Sequence, residues 1–162
     1  MGWTEQEANL PPSGWALYEQ FLLPLMGWRE ARGEGPYGMH LVMRVAWNRS
    51  VSEKRPLHRV ITDDAQFTSI NPPGDSYDPN TDDWPRDPDT QFGSAMAIAM
   101  SIMRGDDLDP SNGATYYWNP RIVKKGCWFD RTICSMDTPE EPYDGWEFVA
   151  VHGGHYFYKK AA

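Results

Sequence analysis

Glu30 is the residue whose position in this sequence most clearly suggests chemistry. It lies in the segment Gly27–Glu34, where an apolar run with helical spacing stops at Gly33, so the carboxyl is expected in the last turn of a helix. The partial negative charge of a helix C-terminus and the water-excluding ring of Trp28 both disfavour an ionised carboxylate. A carboxylic acid that keeps its proton can act as the general acid that cleavage of a glycosidic bond requires. The competing interpretation is a surface glutamate.

Three further carboxylates are accessory candidates. Glu34 lies between two glycines, where the backbone is flexible and solvated, and is expected to orient water or sugar. Asp63 and Asp64 precede Gln66 and are candidates for the second carboxylate of an ordinary glycosidase. The competing interpretation of both aspartates is loop charge in solvent.

Substrate-binding candidates come from two segments. Tyr117 and Asn119 lie among aromatic residues before Pro120, which favours a strand end with fixed side chains. The tyrosine hydroxyl could hydrogen-bond the catalytic carboxyl, and the asparagine could pair with an N-acetyl group, although an Asn-Pro turn is the competing account. Gln66, Phe67 and Thr68 are expected to line the same cleft. Arg49 is expected in a buried pair or helix-end contact rather than on substrate.

No metal or cofactor is expected. His152 and His155, if on one strand, point to opposite faces, so zinc is not expected. His155 is interpreted as a hydrogen-bonded packing residue near the cleft and is also a substrate-binding candidate. Residues 78–89 resemble a calcium loop only superficially, because Asp83 stands where the turn needs glycine. The two cysteines, Cys127 and Cys134, are compatible with a disulfide or with two free thiols.

The pattern of elements predicts an α+β fold. Apolar spacing predicts a helix from about residue 15 that Pro24 breaks, so that a second helical piece runs from Pro24 to 32–33. A stronger stripe at 39–47 predicts a central helix, and another helix is expected from Asp89 or Thr90 to Gly105. The β-prone segments 115–118 and 156–158 are expected to be short strands.

The 162 residues are expected to form a single catalytic domain, 1–162, with an N-terminal arm at 1–12. Residues 63–89, the acidic loop, contain eight Asp, five Pro and one basic residue, a composition too polar for the core. This loop is therefore expected to be either a mobile flap or a segment held by a cation.

Composition limits the partners. A net charge of −8 argues against nucleic acid, because phosphate binding relies on clustered Lys and Arg. Aromatic residues make up 14%, and they could serve as platforms for sugar rings or simply pack. No apolar run could cross a membrane and no export signal is visible, so membrane insertion is not expected. A monomer is expected.

Five segments occur in a recognisable order: Glu30–Glu34, Asn48-Arg49, Gln66–Thr68, Gly113–Pro120 and Gly154–Tyr158. Over roughly residues 24–158, this order resembles the germination-type cell-wall hydrolases, the spore-cortex-lytic enzyme family. The resemblance implies a lysozyme-like fold in which a mainly helical lobe and a small β region border a cleft for peptidoglycan glycan strands. It implies that Glu30 is the catalytic acid of a lytic transglycosylase or muramidase that cleaves the MurNAc–GlcNAc bond.

The chain departs from that family in its longer acidic loop, in residues 121–150, which are interpreted as an enlarged insertion, and at Gly154, where an Asn commonly precedes the His. The expected setting is a phage endolysin made without a signal peptide in the host cytoplasm, which acts on the wall in the periplasm after a holin releases it. Two rivals remain: a catalytically silent glycan-binding or phage structural protein, and a zinc amidase prompted by the four histidines.

Overall fold

A helical lobe carries most of the core. The computed structural model describes residues 17–63, 66–72, 74 and 77–162. Its helices are α1 (Leu17–Ala31), α2 (Gly35–Glu53), α3 (Leu57–Ile61), α4 (Thr90–Arg104) and α5 (Trp128–Thr132), with 3-10 turns at Arg32–Glu34 and Pro79–Asp82. Helices α1, α2 and α4 pack against one another around buried Leu, Met, Val and Ala side chains. The predicted arm and the start of the first predicted helix lie outside the described residues.

Helix α1 passes through Pro24 without a break. The prediction of two helical pieces is therefore wrong, because the proline lies inside one continuous helix. An interior proline costs about 3 kcal/mol through its missing N–H and its ring clash. Leu23, Leu25 and Met26 are all buried beside it, and burying a large apolar side chain contributes roughly 1.5–3 kcal/mol each. Packing of this face outweighs the local penalty.

The other long helices follow their sequence signals. Helix α2 contains the predicted stripe, with Met39, Val42 and Met43 fully buried. Helix α4 begins where the Asp89 carboxylate accepts a hydrogen bond from the Phe92 amide at 2.9 Å, and it ends at Gly105 in the left-handed conformation. The predictions of both helices are confirmed.

A three-stranded antiparallel sheet borders the helical lobe. Its strands β1 (Tyr116–Trp118), β2 (Trp146–His152) and β3 (His155–Lys160) lie in the order β1-β3-β2. Strands β1 and β3 confirm the two predicted β segments. Strand β2 was not predicted, because it lies in the part of the chain that was interpreted as an insertion. The result is the predicted α+β architecture, a mainly helical lobe with a small β region.

The acidic loop contributes to the core, contrary to the prediction from its composition. Phe67 is 1% exposed and belongs to the main apolar cluster, and Ser69 is also buried. The composition of the loop is polar as a whole and does not reveal that one aromatic side chain, Phe67, packs in the core.

Two smaller expectations can be compared with the structure. Cys127 and Cys134 are both free thiols, and burial raises the pKa of the Cys134 thiol. Within the described part of the chain, no helix is both long and apolar enough to span a bilayer.

Candidate active site

The carboxyl of Glu30 is held where the two lobes meet. Glu30 is the penultimate residue of α1, as the sequence predicted, and its side chain remains partly exposed. Oε1 accepts hydrogen bonds from the Ser69 amide at 3.1 Å and the Ser69 hydroxyl at 2.5 Å. Oε2 accepts one from the Tyr117 hydroxyl at 2.9 Å. Contacts from the acidic loop and from β1 thus fix both oxygens.

Tyr117 is a fixed donor. Its ring stacks on Phe157 at 5.6 Å, lies edge-on to His155 at 5.3 Å and contacts Phe67 at 6.2 Å. Burial, reinforced by the Glu30 carboxylate, raises the pKa of Tyr117 well above its usual value. The phenol therefore keeps its proton throughout the physiological range and can donate it to the Glu30 carboxyl in a hydrogen bond.

Arg29 connects the acidic loop to the helix that carries Glu30. Its guanidinium donates to the Ser69 carbonyl at 3.1 Å and to the Asp83 carbonyl at 3.0 Å. Its Cζ lies 4.6 Å from the centre of the Trp84 ring. The cation that holds the loop is thus a side chain of the protein itself. Since Ser69 donates twice to Glu30, Arg29 positions the Glu30 carboxyl through that serine.

Arg32 reinforces the same attachment. It forms an ion pair with Asp83 and donates to the Asn80 side chain at 3.3 Å. Its Cζ also lies 4.3 Å from the centre of the Trp28 ring, so Trp28 shields this arginine and packs edge-on against Phe92. The Trp28 ring was expected to exclude water from the Glu30 carboxyl, but the neighbours that contact this carboxyl are Ser69 and Tyr117.

Substitution of Arg29 by Lys should lower kcat by roughly tenfold while changing KM little, because small errors in the position of a catalytic group are costly. A lysine keeps the charge but loses the fork that holds two carbonyls at once. Initial rates on purified sacculi test this, with Arg104→Lys at the exposed end of α4 as the matched control. Equal kcat values for Arg29→Lys and the control would contradict the positioning role.

Glu34 is not solvated, contrary to the expectation from its flanking glycines. Its side chain is 17% exposed, and Oε1 accepts a 2.5 Å hydrogen bond from His155 Nδ1. Oε2 is buried without a hydrogen-bond partner among the described residues. The turn between β2 and β3 covers the carboxyl, and a Cβ at Gly153 would lie 2.4 Å from Glu34 Cδ. This partly buried glutamate anchors the hairpin.

His152 and His155 do not lie on one strand. They are paired opposite each other across the two-residue turn of the hairpin, and both approach Glu34. The premise that they share a strand and point apart is therefore wrong, because the turn falls between them. His155 is hydrogen-bonded and packed against Tyr117, as its predicted role implies. Across the described ranges, no three His, Cys, Asp or Glu side chains form a group that could hold a metal ion.

The remaining predicted residues are distributed around this centre. Thr68 donates to Asp78 at 2.7 Å, and the Asn119 carbonyl oxygen Oδ1 accepts from the Arg121 amide at 3.0 Å, as in a structural Asn-Pro turn. Asp63 accepts two hydrogen bonds from Arg55, while Gln66 is exposed. Asp64 lies outside the described residues. The structure thus brings together Glu30, Tyr117, Phe67, Glu34 and His155.

Sequence reasoning missed Ser69 and Arg29. Ser69 directly follows the Gln66–Thr68 segment, and its side chain and amide are both donors, but nothing local shows that they meet a carboxylate 39 positions away. Arg29 is adjacent to Glu30 in the sequence, yet its burial depends on the fold of the acidic loop. Only tertiary structure reveals either role.

The buried tyrosines should make the fold sensitive to alkali. Burial raises the pKa values of Tyr117 and Tyr158, whereas unfolded tyrosine titrates near 10. Their stabilising contribution is complete below pH 10 and is lost as the pH rises from there towards the folded-state values. The unfolding free energy should therefore fall above pH 10 by about 1.4 kcal/mol per pH unit for each tyrosine.

Urea titrations between pH 9 and 11 measure this slope, and Tyr117→Phe should reduce it by the share of one tyrosine. Replacement of the exposed Phe21 by Leu removes no ionisable group and is the control, which should leave the slope unchanged. A slope identical in wild type and Tyr117→Phe would show that Tyr117 ionises freely in the folded protein.

The class of the protein follows from comparison with known sequences. The sequence model of the cell wall hydrolase family matches residues 33–158, most of the chain, so this protein belongs to that family. The matched range begins just after Glu30 and includes Glu34, Tyr117 and His155. A comparison with curated protein sequences gave no match.

Among solved structures, the fold is similar to the catalytic domain of the germination-specific lytic transglycosylase SleB from Bacillus anthracis. The TM-score is 0.63 at 21% identity, over 91% of this chain and 99% of that domain. The lysozyme-like α+β fold implied by the sequence resemblance is confirmed, and the protein is a cell wall hydrolase.

Proposed function

We propose that this protein cleaves the MurNAc–GlcNAc bond of peptidoglycan as a lytic transglycosylase, with Glu30 as general acid and then base. The observation that carries the proposal is the placement of Glu30: a partly exposed carboxyl held by Ser69 and Tyr117 at the junction of the helical lobe and the sheet. Membership in the cell wall hydrolase family supports the substrate class.

The proposed reaction needs only one catalytic carboxyl. Glu30 gives its proton to the glycosidic oxygen as the bond from that oxygen to the anomeric carbon breaks, and the acetamido oxygen of the muramyl residue stabilises the cation that forms. The resulting carboxylate then removes a proton from a hydroxyl of the same muramyl residue. That hydroxyl oxygen bonds to the anomeric carbon, so the sugar ends in an anhydro ring and no water is consumed.

The hydrogen bonds around Glu30 suit both states of the carboxyl. The Ser69 amide can only donate, so it favours the charge that forms after proton transfer. The hydroxyls of Ser69 and Tyr117 can each donate or accept, so they remain hydrogen-bonded when the carboxyl carries a proton. The contacts of Asp63 support a reaction with a single catalytic carboxyl, because both oxygens of Asp63 accept hydrogen bonds from Arg55.

The proposed biological setting is a phage endolysin that reaches the wall from the cytoplasm after release. Membership in the cell wall hydrolase family supports the cell wall as the place of action in this setting. Purified protein that is added to isolated sacculi should release muropeptides whether or not it comes from a phage, so that assay does not depend on this setting.

Mass spectrometry of the products from purified sacculi tests the proposed reaction. Muropeptides that end in anhydro-muramic acid, 18 mass units below the hydrolysed form for loss of one water, are the expected result. Reducing ends alone would identify a hydrolytic muramidase and overturn the transglycosylase proposal. Binding to sacculi with no soluble product would instead support a catalytically silent glycan-binding protein.

A further inference from the structure

An open groove lies where Tyr116 of β1 and Trp128 of α5 meet the end of α2 and the start of the acidic loop. It has a volume of about 280 Å³, and its lining includes Tyr116, Trp128, Gln66 and the Arg55–Asp63 pair. None of the residues that contact the Glu30 carboxyl lines it. The groove is therefore a separate feature of the surface.

Trp128 gives the groove a rigid aromatic platform. Its ring is fixed by contacts with Tyr116 at 5.7 Å, Phe129 at 5.1 Å and Trp146 at 6.4 Å between ring centres. The residue is nevertheless 47% exposed. An indole held in place yet open to solvent can stack on the apolar face of a sugar ring at little cost in conformational entropy.

The charges of the groove favour a neutral, hydroxyl-rich ligand. Arg49 and Arg55 are balanced by Glu53 and Asp63, so the formal charge of the lining is zero. Arg55 donates to Asp63 at 2.7 and 2.8 Å and to Glu53 at 2.9 Å, which orients both carboxylates before any ligand arrives. Carboxylate, guanidinium and amide groups together can accept from and donate to sugar hydroxyls.

The groove borders the candidate active site through two chain segments. Tyr116 lines the groove, and the next residue, Tyr117, donates to Glu30. Gln66 lines the groove, and three residues later Ser69 holds the same carboxyl. Neighbouring residues of a strand point to opposite faces of the sheet, so the groove and Glu30 are connected around β1, which is an edge strand. A linear polymer bound at Glu30 could therefore reach the groove around that edge.

We infer that the groove is a further saccharide subsite, in which Trp128 stacks on an amino sugar of the glycan strand beyond the two sugars joined at the cleaved bond. This inference rests on the proposed function for the identity of the polymer. The subsite increases the number of sugar residues that the enzyme contacts. It gives long strands an affinity that short fragments lack.

Binding of β-1,4-linked N-acetylglucosamine oligomers to the Glu30→Gln protein tests the inference without turnover. Trp128→Ala in that background should weaken hexamer binding roughly tenfold, the loss of one aromatic stacking contact, and leave dimer binding unchanged. Trp128→Phe, which keeps an aromatic ring in place, should lose less hexamer affinity than Trp128→Ala. Isothermal titration calorimetry measures all of these affinities.

Two further variants separate binding from structure. Gln66→Ala removes an exposed side chain from the groove and should weaken the hexamer a few-fold, whereas Tyr77→Ala removes an exposed aromatic outside it and should change nothing. Equal loss for dimer and hexamer in Trp128→Ala would indicate a structural effect and overturn the inference. Unchanged hexamer affinity, or no hexamer binding by the parent, would also overturn it.

The inference and the proposed function can fail independently. If the protein with Glu30 intact releases no muropeptides while hexamer binding by Glu30→Gln still depends on Trp128, the catalytic proposal fails and the subsite stands. If anhydro products form but Trp128 does not affect the hexamer, the reaction stands and the subsite fails.

Discussion

Glu30→Gln should reduce the release of soluble muropeptides from sacculi by about 10²- to 10⁴-fold, the usual contribution of a general acid or base. Glutamine has nearly the same shape: its carbonyl oxygen can still accept from Ser69, and its NH2 group can donate to the Tyr117 hydroxyl, so the site should keep its geometry. It cannot give a proton to the glycosidic oxygen. The measurement is the initial rate of release at matched protein concentrations.

Glu140→Gln is the matched control, because Glu140 is an exposed glutamate with the same change in charge. Its rate should equal that of the wild type. Thermal unfolding of the Glu30 variant should remain cooperative, with Tm within a few degrees of the wild type. Comparable lysis by Glu30→Gln and Glu140→Gln would exclude Glu30 as the catalytic acid.

Gly153→Ala should produce the largest loss of stability among single-methyl substitutions at the site, about 2–4 kcal/mol of unfolding free energy. The new Cβ would lie 2.4 Å from Glu34 Cδ and 2.7 Å from its Oε2, in a residue whose φ is +59°. The carboxyl would have to move, and its 2.5 Å hydrogen bond with His155 would break. Urea denaturation measures the loss.

Gly105→Ala separates the clash from the backbone conformation. Gly105 also has a positive φ, +72°, but a Cβ there would meet no atom within 4 Å. Its substitution should cost only the left-handed backbone penalty, about 1 kcal/mol. If both variants lose the same stability, the contact with Glu34 does not constrain the hairpin.

The local part of the site was predictable from the sequence. The end of helix α1 is marked by the apolar spacing and by Gly33, which places Glu30 in the last turn. Tyr117 follows from a short aromatic strand before Pro120, and the start of α4 follows from the Asp89 cap. These signals all act within a few residues, so no tertiary contact is needed to recognise them.

The parts that were not predicted depend on distant contacts. Glu34 is covered by a hairpin more than 100 positions later in the chain, so its two flanking glycines indicated flexibility where the fold imposes burial. Pro24 is accommodated because packing around α1 outweighs its local penalty. Strand β2 did carry a usable signal, since aromatic and β-branched residues follow one another in Trp146–His152.

The most direct test of proton donation by Glu30 uses a muramyl glycoside whose leaving group needs no proton, such as 2,4-dinitrophenolate. Wild type and Glu30→Gln should release dinitrophenolate in the first turnover at similar rates, while only the wild type cleaves the natural glycan. That pattern would show that the variant lacks the acid and retains the rest of the site. Equal impairment on both substrates would contradict the role of Glu30 as the acid that protonates the glycosidic oxygen.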